Sequence, residues 1–201
     1  ERGAVVVTLY LFRHGTTVWT PEHRYLGRTD LPLSAEGAAA LTARPEQPKE
    51  VFVSRLRRTQ QTAAILFPKA KQIVVPAFDE MDFGVFEGRN YRDMEHDTAY
   101  RAWVDAGCRP ACPGGESMDA FCSRVGAAFE SIMDRACAED REDLTIVAHG
   151  GTLMAILSRF ARPERDYFAW STPAGGGHLL TADPADWKTR RKITWRKDLP
   201  A

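Results

Sequence analysis

The sequence predicts an α/β protein, a three-layer α/β/α arrangement around a mostly parallel central sheet. Short, β-branched, nearly uninterrupted apolar segments recur at 5–12, 50–54, 72–75 and 144–148, the pattern of strands covered on both faces. Stretches with helical signals alternate with them, which favours parallel pairing. With 201 residues, 44% of them hydrophobic, the chain can bury about 70% of its unfolded surface. One domain over residues 1–201 is therefore expected.

Taken in order, residues 5–12 are the first strand. A helix over 34–43 opens with Ser34, Glu36 and Gly37. The strand at 50–54 leads into a helix over 57–67 that stops before Pro68, and 72–75 is the next strand. The polar stretch 84–116 is expected to be an insertion covering one end of the sheet. Residues 117–138 carry apolar side chains at helical spacing, 144–148 is a strand, and 150–160 is a helix. Gly175-Gly176-Gly177 reads as a turn into a strand starting at His178, since no Lys-Ser/Thr follows it as a phosphate-binding loop would require. No repeat or linker divides the chain.

Lys plus Arg and Asp plus Glu both number 27, so no overall field favours nucleic acid or an anionic membrane surface. Any anion site must be local. Cys108, Cys112, Cys122 and Cys137 include no CxxC pair, which disfavours a zinc site or a disulfide scaffold and suggests reduced thiols in a cytoplasmic protein. The longest apolar runs fall far short of the ~20 residues that span a bilayer, and no signal-peptide pattern is evident.

The chemistry concentrates at strand ends, where α/β sheets bind ligands. "TLYLFRHGTTVWT" (8–20) ends its apolar run in Arg13-His14-Gly15, and "LTIVAHGGTLMAIL" (144–157) repeats the device with His149-Gly150-Gly151. Each histidine is followed by glycine, which lets backbone N–H groups approach a ligand, and a helix N-terminus follows His149. "SRLRRTQQTA" (54–63) places Arg55, Arg57 and Arg58 after a third strand; such a cluster is either a solvated face or a set of forks for phosphate oxygens. In "FDEMDFGVFEG" (78–88), Asp79, Glu80 and Asp82 are available to cap a turn, to pair with arginine, or to act as an acid. Trp19, Tyr25, Phe83, Phe86, Tyr91 and Trp103 either stack on a substrate or pack under the insertion.

In this ordered set the sequence resembles the histidine phosphatase superfamily, which includes cofactor-dependent phosphoglycerate mutases and α-ribazole phosphatases. The family's RHG matches residues 13–15. Its S-x-L-x-R-A-x-Q-T-A pattern matches Ser54, Leu56, Arg58, Gln61, Thr62 and Ala63, and its HGG matches 149–151. "GRTDLPLSAEG" (27–37) and "PGGES" (113–117) add to the likeness, which runs from about 8 to 183. The resemblance implies a phosphoglycerate mutase-like fold, His14 as nucleophile, Arg13, Arg58 and His149 as the phosphate pocket, and Glu80 as proton donor. Thr20 stands where the family often has Asn, and Arg55 and Thr59 replace its usual Pro and Ala. Thr17 and Thr20 hydroxyls, together with Gly150, join the expected phosphate site.

These residue types suit phosphomonoester hydrolysis. Arg13 and Arg58 bind phosphate and also oppose protonation of His14, while apolar neighbours of Glu80 help it hold a proton. No metal or cofactor is expected, since no HExxH or His-rich spacing occurs. The partner is a small phosphorylated metabolite, with α-ribazole 5′-phosphate the candidate nearest the resemblance, and a monomer or homodimer is anticipated. The alternatives are a phosphoglycerate mutase, for which the chain is compact, and an inactive phosphate-binding relative.

Overall fold

In the computed structural model, which describes residues 3–201, the first apolar run becomes β1 (Val7–Arg13), and its alternation sets the layering. Val7, Leu9 and Leu11 face the largest core cluster, whereas Phe12 faces the opposite side with Val51, Val53, Ala63 and Leu66. The chain continues through α1 (Ala35–Ala39), β2 (Glu50–Val53), α2 (Arg57–Leu66), β3 (Lys71–Val74), α3 (Thr98–Asp105), α4 (Met118–Ala138), β4 (Asp143–Ala148), α5 (Gly150–Phe160), β5 (Ala161–Arg162), β6 (Gly177–Ala182), α6 (Pro184–Arg190) and β7 (Ile193–Leu199). Short 3-10 turns occupy Pro76–Phe78, Gly84–Phe86 and Tyr167–Trp170.

The sheet order is β3-β2-β4-β1-β6-β7-β5. β6 alone pairs antiparallel with both neighbours, so six of the seven strands share a direction. The protein is thus a mixed α/β fold with a mostly parallel sheet. α4, α5 and α6 cover one face, burying Phe129, Phe160 and Trp187 against the odd-numbered residues of β1. α2 covers the other through Ala63 and Leu66.

The helix expected over 34–43 is shorter. Ser34 caps it by accepting Gly37 N–H, but it ends at Ala39, because Leu41 turns in against the Phe12 cluster and Arg44 N–H bonds Leu66 O. Pro45 also disfavours helical backbone at Arg44. α3 lies inside the stretch 84–116 that the sequence presents as a polar insertion. That stretch carries its own apolar cluster of Phe86, Met94, Tyr100, Trp103 and Cys112, so Phe86 is a packing residue and Trp103 packs in the cluster with one side on a cavity. β7 was hidden by its exposed Arg196, Lys197 and Asp198. All four cysteines are free. Among the described residues, no helix is long and apolar enough to cross a membrane.

Candidate active site

Register places the two histidines side by side. Arg13 pairs with Ala148 at the carboxyl ends of adjacent parallel strands, and His14 N–H donates to Ala148 O at 2.9 Å. The His14 and His149 rings consequently meet edge to face, 5.2 Å between centroids. His14 is only 5% exposed. Its Nδ1 lies 2.7 Å from Gly15 O. A carbonyl only accepts, so Nδ1 carries the proton and Nε2 keeps a free lone pair. Burial, then Arg58 and Arg13, hold its pKa well below 6.5, so the ring is neutral at neutral pH. The cations expected from the sequence do act on His14, but desolvation is the larger cause.

Arg58, in the first turn of α2, is fully buried. Its Nη1 donates to Thr29 O at 2.7 Å and its Nη2 to Gly27 O at 2.6 Å, so two carbonyls fix the plane of the fork. Burial pushes its pKa down to about 10, which leaves it charged at neutral pH. Arg13 is held the same way by Thr172 O at 2.7 Å. Thr172 Oγ1 in turn meets His178 Nε2 at 2.9 Å. The Nε atoms of both arginines and Nδ1 of His149 are buried without a protein partner. His149 Nε2 is 2.8 Å from Ser54 Oγ. Ser54 Oγ also meets Thr59 Oγ1 at 3.0 Å, so the direction of that hydroxyl pair sets which ring nitrogen of His149 carries its proton. Burial, then Arg58, also hold His149 well below its usual pKa, so it offers one N–H rather than two.

The three carboxylates of 79–82 separate by role. Asp79 accepts from Arg55 N and Nε, and Asp82 caps Gly84 N–H. Glu80 alone lines the pocket. Its Oε1 accepts Met81 N–H and its Oε2 accepts Gly151 N–H, both at 2.9 Å. Those bonds, Arg58 and Arg13 favour the carboxylate, yet burial outweighs them and raises the pKa above 4.5. Arg124 anchors the segment through Ala77 O, Asp79 O and Glu80 O.

Arg13, His14, Thr20, Glu80 and Gly150 line one pocket of about 680 Å³. Arg58 and His149 lie behind that surface, against His14. Thr17 does not reach the lining: it is fully buried, with Oγ1 3.2 Å from Thr20 Oγ1 and accepting Trp19 N–H. Of the aromatic set, Tyr25, Phe83 and Tyr91 line the pocket, which also takes Arg24, Gly151, Met154 and Thr172, residues that no single-residue signal in the sequence marked. Gly151 did stand in the HGG motif. Among the described residues, no group of three or more His, Cys, Asp or Glu side chains could hold a metal ion. The arrangement presents an unprotonated imidazole nitrogen beside two fixed guanidinium groups, with a carboxyl of raised pKa lining the same pocket. Such a site can bind a tetrahedral oxyanion and attack its central atom.

Comparison with known proteins agrees with that chemistry. The family model for the histidine phosphatase superfamily (branch 1) matches residues 9–192. "Probable phosphoglycerate mutase GpmB" of Escherichia coli O1:K1 / APEC is 32% identical over 164 residues, covering 76% of this chain and 74% of the relative. The α-ribazole phosphatase of Shigella flexneri superposes with a TM-score of 0.79 at 25% identity, covering 97% of this chain and 96% of that one. A phosphoglycerate mutase from Thermus thermophilus gives a TM-score of 0.70 at 28% identity, over 97% of this chain and 99% of that one.

Proposed function

Because the chain belongs to the histidine phosphatase superfamily, we propose that it hydrolyses small phosphate monoesters through a phosphohistidine at His14. The observation that carries the proposal is the protonation pattern: Nδ1 of His14 is committed to Gly15 O while Nε2 is free, beside Arg13 and Arg58. Nε2 attacks phosphorus, the P–O ester bond breaks, and Glu80 gives its proton to the departing alcohol oxygen. Arg13 and Arg58 neutralise the transferring oxygens, with the uncharged His149 ring beside His14. The Glu80 carboxylate then takes a proton from water as that water attacks phosphorus, the P–N bond breaks, and inorganic phosphate leaves. Thr20 and Gly150 complete the binding surface, and Thr17 supports Thr20 from behind.

A structural relative is named an α-ribazole phosphatase, so α-ribazole 5′-phosphate heads the candidate substrates. The curated relative's name favours the second reading, phosphoglycerate mutase. Measuring kcat/KM across α-ribazole 5′-phosphate, 2- and 3-phosphoglycerate and sugar phosphates separates the two. Phosphate release is expected from at least one ester; interconversion of the phosphoglycerates without release would replace the hydrolase reading.

The pH profile carries a signed expectation. The active enzyme needs neutral His14, a form lost as pH falls through a depressed pKa, and protonated Glu80, a form lost as pH rises through a raised one. The acid limb that His14 contributes to kcat/KM therefore lies well below pH 6.5. The alkaline limb due to Glu80 disappears in Glu80→Gln with an activated aryl ester, whereas the substrate's own second ionisation, near pKa about 6, persists. An acid limb centred at or above an ordinary histidine pKa would contradict the assignment.

A further inference from the structure

Glu80 and Gly151 border not one cavity but two. The second, of about 170 Å³, is lined by Tyr25, Phe83, Trp103, Met118, Met154 and Tyr167, with Phe168 at its rim. Arg13 and His14 line only the first, so the proton donor stands between the phosphate pocket and this side cavity.

The side cavity has almost no polar capacity of its own. Tyr25 Oη pairs with Tyr100 Oη at 2.8 Å, Trp103 Nε1 donates to Pro110 O at 3.0 Å, and Tyr167 Oη faces Gly151 O at 3.4 Å. Both Glu80 oxygens accept backbone N–H groups. Apart from Glu80, no charged side chain lines it, and the Cys108 thiol, whose pKa burial raises, is only a weak donor. A hydroxyl or carboxylate placed there would lose water without finding a partner. The volume is that of one ring, since an apolar cavity of about 150 Å³ takes up benzene.

We propose that this cavity is the leaving-group subsite, and that it selects phosphate esters of alcohols whose body is a compact, flat apolar ring. The inference rests on the phosphatase reading, because Glu80 protonates the alcohol oxygen and the alcohol's body must therefore lie on the Glu80 side of the phosphate. It makes esters of charged alcohols poor substrates, and likewise esters of hydroxylated alcohols that carry no flat ring, so that of the candidates above α-ribazole 5′-phosphate is favoured over the phosphoglycerates and sugar phosphates. Met154, on α5, and Phe168, on the turn after Asp166, become specificity residues.

Non-hydrolysable phosphonates test the cavity without turnover. By calorimetry, benzylphosphonate and 2-phenylethylphosphonate should bind at least about tenfold tighter than ethylphosphonate, the gain from burying a ring in place of a methyl group. Phosphonoacetate should bind most weakly. Met154→Ser should cut the benzyl-to-ethyl ratio at least about threefold. Phe168→Ser, whose site is 58% exposed and tolerant of change, should cut it in the same direction. Equal affinities across the series, tightest binding of phosphonoacetate, or a ratio unmoved by both substitutions would overturn the proposal. A ring preference in binding without hydrolysis of any ester would overturn the phosphatase reading and support the subsite. Hydrolysis without ring preference would do the reverse.

Discussion

Replacing His14 with alanine is expected to abolish hydrolysis, lowering kcat by about 10⁴- to 10⁶-fold, the scale of losing a covalent nucleophile. The groups beside it are already engaged. His149 is the nearest imidazole, but its Nε2 is engaged by Ser54 and the ring sits behind His14. Glu80 has both oxygens on backbone N–H groups. Phosphate binding should survive the substitution within about tenfold, because the guanidinium planes of Arg13 and Arg58 are fixed by Thr172, Gly27 and Thr29 carbonyls rather than by His14. The wild-type protein, mixed with labelled ester and denatured in alkali, should retain phosphate that acid then releases. The variant should retain none. More than about 1% residual kcat, or a label that persists in the variant, would move the nucleophile elsewhere.

What the sequence revealed and what it withheld divide on one physical line. Strands β1 and β4 were legible because β4 is buried on both faces and β1 is buried on one and half-buried on the other, so the apolar run is nearly continuous and the polar residue ending it stands out. Arg13, His14 and His149 were found for that reason, and Arg58 and Glu80 through motifs of side chains. The clamps escaped notice because they are made by backbone. Thr172 O, Gly27 O and Thr29 O orient the two arginines, and a carbonyl leaves no mark in a sequence. β7 was missed because only its two ends are buried, and α3 because its apolar residues, Tyr100 and Trp103, sit among charges. Thr17 belongs to a third kind. Its hydroxyl suited phosphate by type, but type does not fix direction, and its position inside the 16–20 loop turns that hydroxyl toward Thr20.

The least conspicuous residue of the site carries the second large effect. A Cβ on Gly151 would lie 2.2 Å from Glu80 Oε1, 2.9 Å from Cδ and 3.1 Å from Oε2. Gly151 is buried in the first turn of α5, whose next residue ties it to Phe78 O, so the helix cannot retreat and the carboxyl must move instead. Gly151→Ala should therefore reproduce Glu80→Gln. We expect kcat/KM for alkyl phosphates to fall about 10²- to 10⁴-fold, the usual contribution of a general acid, with a much smaller loss on aryl phosphates whose leaving groups need no proton. Helix propensity acts in the opposite sense, since alanine is favoured over glycine by up to about 1 kcal/mol, so activity drops without a matching loss of folding stability. The double variant should be no slower than Glu80→Gln alone, because the two changes remove one function. Full rates on alkyl esters in Gly151→Ala, or losses that multiply in the double variant, would mean that the proton reaches the leaving oxygen from another group.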